Sequence, residues 1–176
     1  MSTRDDLSDS LENYLEAILE LEETQKVARA KEIADRLQIQ RGSVTGGLKT
    51  LSEKGYINYQ PYSYITLTDK GKRIARDIAH RHAVIKEFLL KVLQIDPLTA
   101  ETSACKMEHA IDPKTIERLV CFIEYIFTCP RAGQDWIESF LNYCAGGNRR
   151  QADCDQCIDA LKKSVSTPEQ CPSGRP

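Results

Sequence analysis

The sequence predicts a mainly α-helical fold, with an N-terminal winged helix-turn-helix, a second helical domain and a cysteine-rich C-terminal extension. Two short amphipathic segments joined by a tight turn come before a hairpin-like stretch, longer apolar helical segments follow it, and most cysteines lie near the C-terminus. We therefore divide the chain into residues 1–73, 74–143 and 144–176. Ser, Pro and Gly are frequent in residues 164–176, so we expect this end to be disordered.

The composition is that of an ordinary globular protein, with 28% charged and 41% hydrophobic residues. No apolar run reaches the roughly 18 residues of a membrane span, and the polar N-terminus lacks the apolar core of a signal peptide. We expect a cytoplasmic protein with no membrane partner. In that compartment seven cysteines favour metal binding or redox chemistry over disulfides. Because no nucleophile–base constellation or phosphate-binding loop is visible, we expect neither an enzyme nor a small-molecule substrate.

Three amphipathic helices are predicted in the N-terminal third. The first runs from Ser8 to about Glu23, with Asn13 and Glu16 on the flank of its apolar stripe. Ala30–Leu37 and Ser43–Lys54 follow, separated by a short turn. Such a pair, with small polar residues at the start of its second helix, is typical of a helix-turn-helix. Two segments that alternate aromatic and β-branched residues, 56–59 and 64–68, then form a hairpin, which makes the module a winged helix.

The charge of this region favours duplex DNA as the partner. Between residues 26 and 86, thirteen basic residues oppose five acidic ones, in a chain whose net charge is −2. A winged helix used for protein contacts is the alternative. Gly42, Gly46 and Gly47 leave few side chains for base reading, so shape and phosphate contacts are expected to dominate. The expected DNA contacts on the recognition helix and wing are Arg41, Ser43, Thr45, Lys49 and Tyr62 or Tyr64.

Long apolar helices are predicted after the wing. A helix over 69–93 carries His80 and His82, which point to different faces because they are two residues apart. Asp112 and Pro113 are N-cap and N1 signals for a helix with a wide apolar face that runs to about residue 127. So apolar a helix beside a small module is expected to pack against a second subunit, which predicts a homodimer. A shorter helix is predicted over 134–143.

The stretch from Cys105 to His109 carries the strongest metal-binding signal. On one helix, residues three and four apart share a face, so the thiol of Cys105, the carboxylate of Glu108 and the imidazole of His109 are expected to converge. This donor set suits a divalent ion of intermediate softness, such as Fe(II), Co(II), Ni(II) or Zn(II). The alternative is a buried cysteine beside a solvated Glu–His pair.

With this order of elements and this motif, residues 8 to 143 resemble the DtxR/MntR family of metal-dependent transcriptional repressors. The resemblance implies a dimer that binds operator DNA when loaded with Fe(II) or Mn(II), through a winged helix followed by a helical metal-binding and dimerisation domain. It also implies that the primary ligands are Cys105, Glu108 and His109, with further ligands at Asn13 and Glu16 on the first helix and His82 on the linking helix. The iron-responsive branch has cysteine at the first position of the motif, whereas the manganese-responsive branch has a carboxylate.

Two positions depart from the family pattern. Lys86 stands where the family has a Glu ligand, and Glu101 stands where the iron branch has another histidine. A protonated ammonium cannot ligate and would repel a second cation. We therefore expect one principal ion held by the Cys105–His109 motif and a first-helix oxygen, with His82 and Glu16 assisting or binding a weaker second ion. The thiol favours Fe(II) over Mn(II), with Zn(II) or Co(II) as alternatives. By joining the first helix to the dimerisation domain, the ion would set both recognition helices for successive major grooves.

Four cysteines form a second candidate metal site: Cys129, Cys144, Cys154 and Cys157. One Cys-x-x-Cys pair with two outlying cysteines is enough for a tetrahedral thiolate site that holds Zn(II) or an Fe–S cluster, and reduced thiols are the alternative. A winged-helix regulator that senses redox or Fe–S status through these cysteines is therefore the second functional hypothesis. A metalloenzyme or electron carrier is the third, and the basic winged helix argues against it.

Overall fold

A computed structural model describes residues 7–60, 63–129 and 134–146. The helices are α1 (Asp9–Gln25), α2 (Ala30–Leu37), α3 (Arg41–Glu53), α4 (Asp69–Glu87), α5 (Pro97–Met107), α6 (Pro113–Thr128) and α7 (Gln134–Gly146), and the strands are β1 (Ile57–Asn58) and β2 (Thr66–Leu67). A π-helical turn, Phe88–Val92, continues α4. Among these helices, none is long and apolar enough to cross a membrane.

Helices α1, α2 and α3 pack with the β-hairpin around a first apolar core. Its buried members come from all three helices and the hairpin, and they include Leu15, Ile18, Ile33, Val44, Leu48, Leu51, Ile57, Ile65 and Leu67. The two strands are antiparallel, and Ala28 adds a bridge to Ile65 with N–H···O distances of 3.1 and 2.8 Å. The predicted winged helix-turn-helix is confirmed.

Close packing fixes the junction between the wing and α4. Thr68 caps α4, because its Oγ1 accepts a hydrogen bond from the Gly71 N–H at 3.1 Å and donates to the Tyr56 carbonyl at 3.0 Å. A Cβ on Gly71 would lie 2.0 Å from that same carbonyl oxygen. Only glycine therefore fits at this position.

Helix α4 passes from the first core into a second one. Ala75 packs in the first core, whereas the C-terminal part of α4 and the π-helical turn pack against α5, α6 and α7 through Val84, Ile85, Leu89, Val92, Ala100, Ala104, Ile116, Ile123, Ile126 and Ile137. Asp96 and Asp112 cap α5 and α6 by accepting from the N–H groups of Thr99 and Thr115 at 3.0 and 3.1 Å. A proline follows each cap, so the predicted start of α6 is confirmed.

Some boundaries differ from the sequence prediction. Helix α3 begins at Arg41, each strand has two residues, and the long helix predicted over 69–93 becomes π-helical at Phe88. Helix α5 ends at Met107, with Glu108 as its C-cap and His109 in the following turn. The expectation that Cys105, Glu108 and His109 share one helix face is therefore wrong for His109, which leaves the helix.

The face of α6 that the sequence assigns to a dimer is only partly covered within the chain. On this face Ile116, Ile123 and Ile126 are buried within the chain, whereas Phe127 is 47% exposed. On another side of the helix, Phe122 and Tyr125 are 41% and 54% exposed. The cysteine-rich extension from residue 147, with Cys154 and Cys157, lies outside the described residues.

Candidate metal centre

Three elements bring metal-ligating side chains together. Helix α1 supplies Glu16, helix α4 supplies His82, and the C-cap of α5 supplies Glu108. One donor atom from each of the three lies within 4.8 Å of the other two. Glu16 and His82 are half-buried and Glu108 is completely buried, so this carboxylate–imidazole cluster lies at the junction of the two cores rather than on the surface.

His109 lies beside this cluster, in the turn after α5. Its Nδ1 lies 2.7 Å from Glu12 Oε2, and its Nε2 lies 2.8 Å from Asn13 Oδ1. The same Nε2 is 3.5 Å from Glu108 Oε1. The imidazole is thus held between α1 and the end of α5. His109 and its partners on α1 are more than ninety positions apart in the chain.

The electrostatics of the cluster are those of carboxylates held close together. The hydrogen bond between Glu108 Oε2 and His82 Nδ1, 2.6 Å long, raises the pKa of His82. Burial raises the pKa of Glu16, and the neighbouring Glu108 carboxylate raises it further. The negative charge of Glu108 contributes to both shifts, and this charge favours a cation at the same point.

Cys105 lies at the rim of the cluster. Cys105 is exposed, but it lines a pocket of about 300 Å³. The other lining residues include Asn13, Glu16, Glu20, Arg36, His82 and Glu101. Burial raises the pKa of the Cys105 thiol, as do the charges of Glu108, Glu16 and Glu101. A cation that neutralises these carboxylates would therefore favour the thiolate.

The two positions that depart from the family pattern bind each other. Lys86 Nζ lies 2.6 Å from Glu101 Oε2, and Glu101 Oε1 lies 3.4 Å from His82 Nε2. The Lys86 hydrogen bond is the largest cause of the lowered pKa of Glu101. Lys86 thus balances the charge of Glu101 beside the cluster.

The donor set fits a divalent first-row transition ion. Carboxylate, amide and imidazole atoms of Glu16, Glu108, Asn13, His82 and His109 surround one region, with the Cys105 thiol beside it. The structure groups Glu16, His82 and Glu108, places Asn13 and His109 in contact with each other beside them, and puts Cys105 in the lining of the adjoining pocket. Sequence reasoning missed two buried neighbours, Glu12 and Arg81. Glu12 could have been found from its place one turn before Glu16, whereas Arg81, the immediate neighbour of His82 on α4, carries no such signal.

The expected DNA contacts lie on an exposed face of α3 and in the wing. Arg41, Ser43, Thr45 and Lys49 are exposed, and Lys49 pairs weakly with Glu53 at 3.9 Å. In the wing, Tyr64 is 54% exposed and its hydroxyl accepts from Arg29 at 3.2 Å, whereas Tyr62 lies outside the described residues.

The basic charge of the segment is smaller at the surface than the sequence suggests. Acidic side chains outside residues 26–86 pair with basic ones inside it, at Arg36–Glu20, Lys72–Glu22, Arg81–Glu12 and Lys86–Glu101. These basic groups are engaged within the chain, so the phosphate-binding charge belongs mainly to the remaining ones.

The candidate cysteine site is described only in part. Cys129 is the half-buried C-cap of α6, and Cys144 is exposed near the end of α7. Cys154 and Cys157 lie beyond the described residues. The zinc interpretation of the four cysteines stays a prediction, and nothing in the described part supports an Fe–S cluster.

Two family models match the chain. Residues 6–65 match the N-terminal DNA-binding domain of iron-dependent repressors, and residues 68–137 match their metal-binding and dimerisation domain. An uncharacterised HTH-type transcriptional regulator of Methanocaldococcus jannaschii is 43% identical over 119 residues, which are 67% of this chain and 95% of that protein. The HTH-type transcriptional regulator MntR of Listeria monocytogenes is 31% identical over 123 residues, which are 70% of this chain and 86% of that protein.

Solved structures show the same fold. The manganese regulator SloR is 27% identical with a TM-score of 0.60, and ScaR with bound Zn²⁺ is 28% identical with a TM-score of 0.55. Each match covers 69% of this chain and 56% of the solved chain, so this protein spans little more than half the length of those two. From the family models and the relatives together, the chain belongs to the DtxR/MntR family of metal-dependent transcriptional repressors.

Proposed function

We propose that this protein represses transcription as a homodimer that binds operator DNA when Fe(II) occupies the centre between α1, α4 and α5. The proposed ligands are Asn13, Glu16, His82, Cys105, Glu108 and His109. The observation that carries the proposal is the convergence of Glu16, His82 and Glu108, whose donor atoms lie within 4.8 Å of one another although they come from three different elements.

The proposed ligands divide between the two cores. Asn13 and Glu16 flank Tyr14 and Leu15, which are buried in the first core with α2 and α3, whereas His82 precedes Val84 in the second core. A bound divalent cation supplies positive charge to ligands from both cores. Without that charge, Glu16 and Glu108 repel each other across the junction, which is one cause of the raised pKa of Glu16 after burial. The protein's own residues therefore favour a closed junction only when this repulsion is neutralised.

Helix α1 also contacts the recognition helix directly. Tyr14 follows Asn13 in sequence, and its hydroxyl donates to the Ser43 carbonyl at 3.3 Å. Its ring lies against Gly47, where a Cβ would come within 2.9 Å of the ring. A movement of α1 at the metal centre would therefore displace α3, which carries the proposed DNA contacts Arg41, Ser43, Thr45 and Lys49.

The second core supplies the proposed dimer interface. Phe122 and Tyr125, three residues apart, are exposed on one side of α6, and aromatic side chains are enriched in the buried centres of stable interfaces. A two-fold dimer through this face would present two copies of α3 to one palindromic duplex. As a repressor of operator DNA, the protein is proposed to act in the cytoplasm.

Fe(II) is our first choice of ion because Cys105 lines the pocket at the centre, and thiolate ligands favour softer ions than Mn(II). Mn(II) is the second candidate. The solved relative SloR is described as a manganese regulator, and five of the six proposed ligands offer oxygen or nitrogen. The redox hypothesis based on the C-terminal cysteines gains no support from the described residues.

Selection of DNA from a random duplex library tests the proposal. The protein is presented anaerobically with Fe(II), with Mn(II) or with a chelator, and the recovered duplex is titrated by fluorescence anisotropy. We expect a palindromic sequence that is recovered only with a metal and is bound most tightly with Fe(II). The combined substitutions Glu108→Ala and His109→Ala should abolish the metal effect, whereas His80→Ala, at an exposed histidine on α4, should leave it unchanged. Equal affinity with metal and with chelator would contradict the proposal.

A further inference from the structure

A chain of buried charged groups lies beside the proposed ligands. Glu12 on α1 and Arg81 on α4 are 4% and 2% exposed, and with Glu108 they are the buried charged residues of the described part. Burial of a charge is unfavourable unless the group is paired and hydrogen-bonded. Neither Glu12 nor Arg81 is a proposed ligand, so their burial requires another explanation.

Glu12 binds the ring nitrogen of His109 that faces away from the other proposed ligands. The distance from Glu12 Oε2 to His109 Nδ1 is 2.7 Å. The opposite nitrogen, Nε2, faces Asn13 Oδ1 at 2.8 Å and Glu108 Oε1 at 3.5 Å. A carboxylate accepts a hydrogen bond, so this contact holds the ring at Nδ1 and turns Nε2 toward Asn13 and Glu108.

Arg81 holds both Glu12 and the main chain next to His109. Its Nη2 lies 3.8 Å from Glu12 Oε2, and its Nη1 is bound by Asp77 one turn earlier on α4. Its Nε donates to the backbone carbonyl of Glu108 at 3.1 Å. One guanidinium thus balances the charge of Glu12 and fixes the peptide that immediately precedes His109.

We propose that Glu12, held in place by Arg81, is a positioning residue for His109. It holds the ring at Nδ1 and aims Nε2 at Asn13 and Glu108. This inference rests on the proposed function, because it treats His109 as a ligand. A carboxylate on the outer nitrogen of a ligand histidine orients the ring and strengthens metal binding.

His82 offers an internal comparison. Its Nε2 lies 3.4 Å from Glu101 on α5, and Glu101 pairs with Lys86 on α4 at 2.6 Å. This histidine therefore also contacts a carboxylate that is paired with a cation from α4. The side chain of Glu101 is 48% exposed, however, whereas that of Glu12 is 5% exposed. Water competes for the exposed contact, so the Glu101 carboxylate is expected to matter much less than that of Glu12.

Metal affinity tests this inference, measured as Mn(II) competition with a chelating dye. Glu12→Gln keeps an oxygen acceptor and the size of the side chain, so it serves as the test variant if Glu12→Ala does not fold. Glu12→Ala should weaken Mn(II) binding by about 10–100-fold, Glu12→Gln by less, and the matched control Glu101→Ala by at most about fivefold. If Glu12→Ala binds Mn(II) as tightly as the wild type does, this inference is overturned but the proposed function is not. A wild-type protein that binds no Mn(II) contradicts the proposed function as well.

Discussion

The winged helix and the metal centre are stabilised by different kinds of contact. The first core consists of apolar residues that are at most 5% exposed, and it contains none of the buried charged residues of the described part. The junction between the cores contains all three of these residues, Glu12, Arg81 and Glu108. Apolar packing needs no ligand, whereas a cluster of carboxylates depends on counter-charge. We therefore expect the winged helix to be a fixed unit and the junction to respond to a cation.

The largest expected effect is a loss of stability from a substitution in the first core, away from the metal centre. In Gly71→Ala the new Cβ would lie 2.0 Å from the Tyr56 carbonyl oxygen, so the wing must move away from α4. We expect a loss of about 3 kcal/mol in the free energy of unfolding, measured by urea denaturation. The control is Gly46→Ala, where the Cβ meets nothing within 4 Å and a helical alanine should stabilise the protein slightly. Equal stability of the two variants would contradict the close packing described for this junction.

The next largest effect is expected from a substitution at the metal centre, where the two cores meet. Glu108→Ala removes a fully buried carboxylate that binds His82 at 2.6 Å, and we expect metal affinity to fall by about 100-fold or more. Isothermal titration with Mn(II) measures the change. Glu124→Ala, at an exposed position on α6, is the control and should bind as the wild type does. The comparison fails if Glu108→Ala binds Mn(II) normally, since the buried carboxylate would then have no part in the centre.

The sequence predicts the helices of both cores better than the centre, because helices follow from local patterns whereas the centre depends on contacts between distant residues. Periodic apolar residues and the Asp112–Pro113 signal are local features, so helix types and caps follow from them. The contact of His109 with Glu12 joins residues 97 positions apart and depends on where α5 ends, which local patterns do not determine. The charge of residues 26–86 is misleading for the same reason, because its partners lie on α1 and α5.

A smaller effect sharpens the choice of metal. Cys105→Glu replaces the thiol at the rim of the pocket by the kind of ligand found in the manganese-responsive branch. We expect the ratio of Fe(II) to Mn(II) affinity to fall by roughly tenfold, because oxygen ligands remove the preference for the softer ion. Anaerobic competition with a chelating dye gives this ratio. Cys121→Ser, at an exposed cysteine on α6, should leave it unchanged, and an unchanged ratio in Cys105→Glu would exclude the thiol as the selecting ligand.

The smallest expected effect concerns the contact between Tyr14 on α1 and the recognition helix α3. Gly47→Ala places a Cβ 2.9 Å from the ring of Tyr14, which must shift away from α3. We expect a stability loss of about 1 kcal/mol and a weaker metal effect on DNA binding, measured by denaturation and by anisotropy. If Gly47→Ala and Gly46→Ala behave alike in both measurements, the contact between Tyr14 and α3 does not transmit the signal.

The central claim is that ligands from both cores must be joined for DNA binding to depend on metal. The most direct measurement is the anisotropy of the selected duplex with and without Mn(II), for the wild type, for Glu16→Gln on α1 and for the exposed control Glu23→Gln on the same helix. We expect metal to strengthen wild-type and Glu23→Gln binding by about 5–150-fold. In Glu16→Gln we expect no metal effect, with the metal-free affinity unchanged. A full metal effect in Glu16→Gln would contradict the claim.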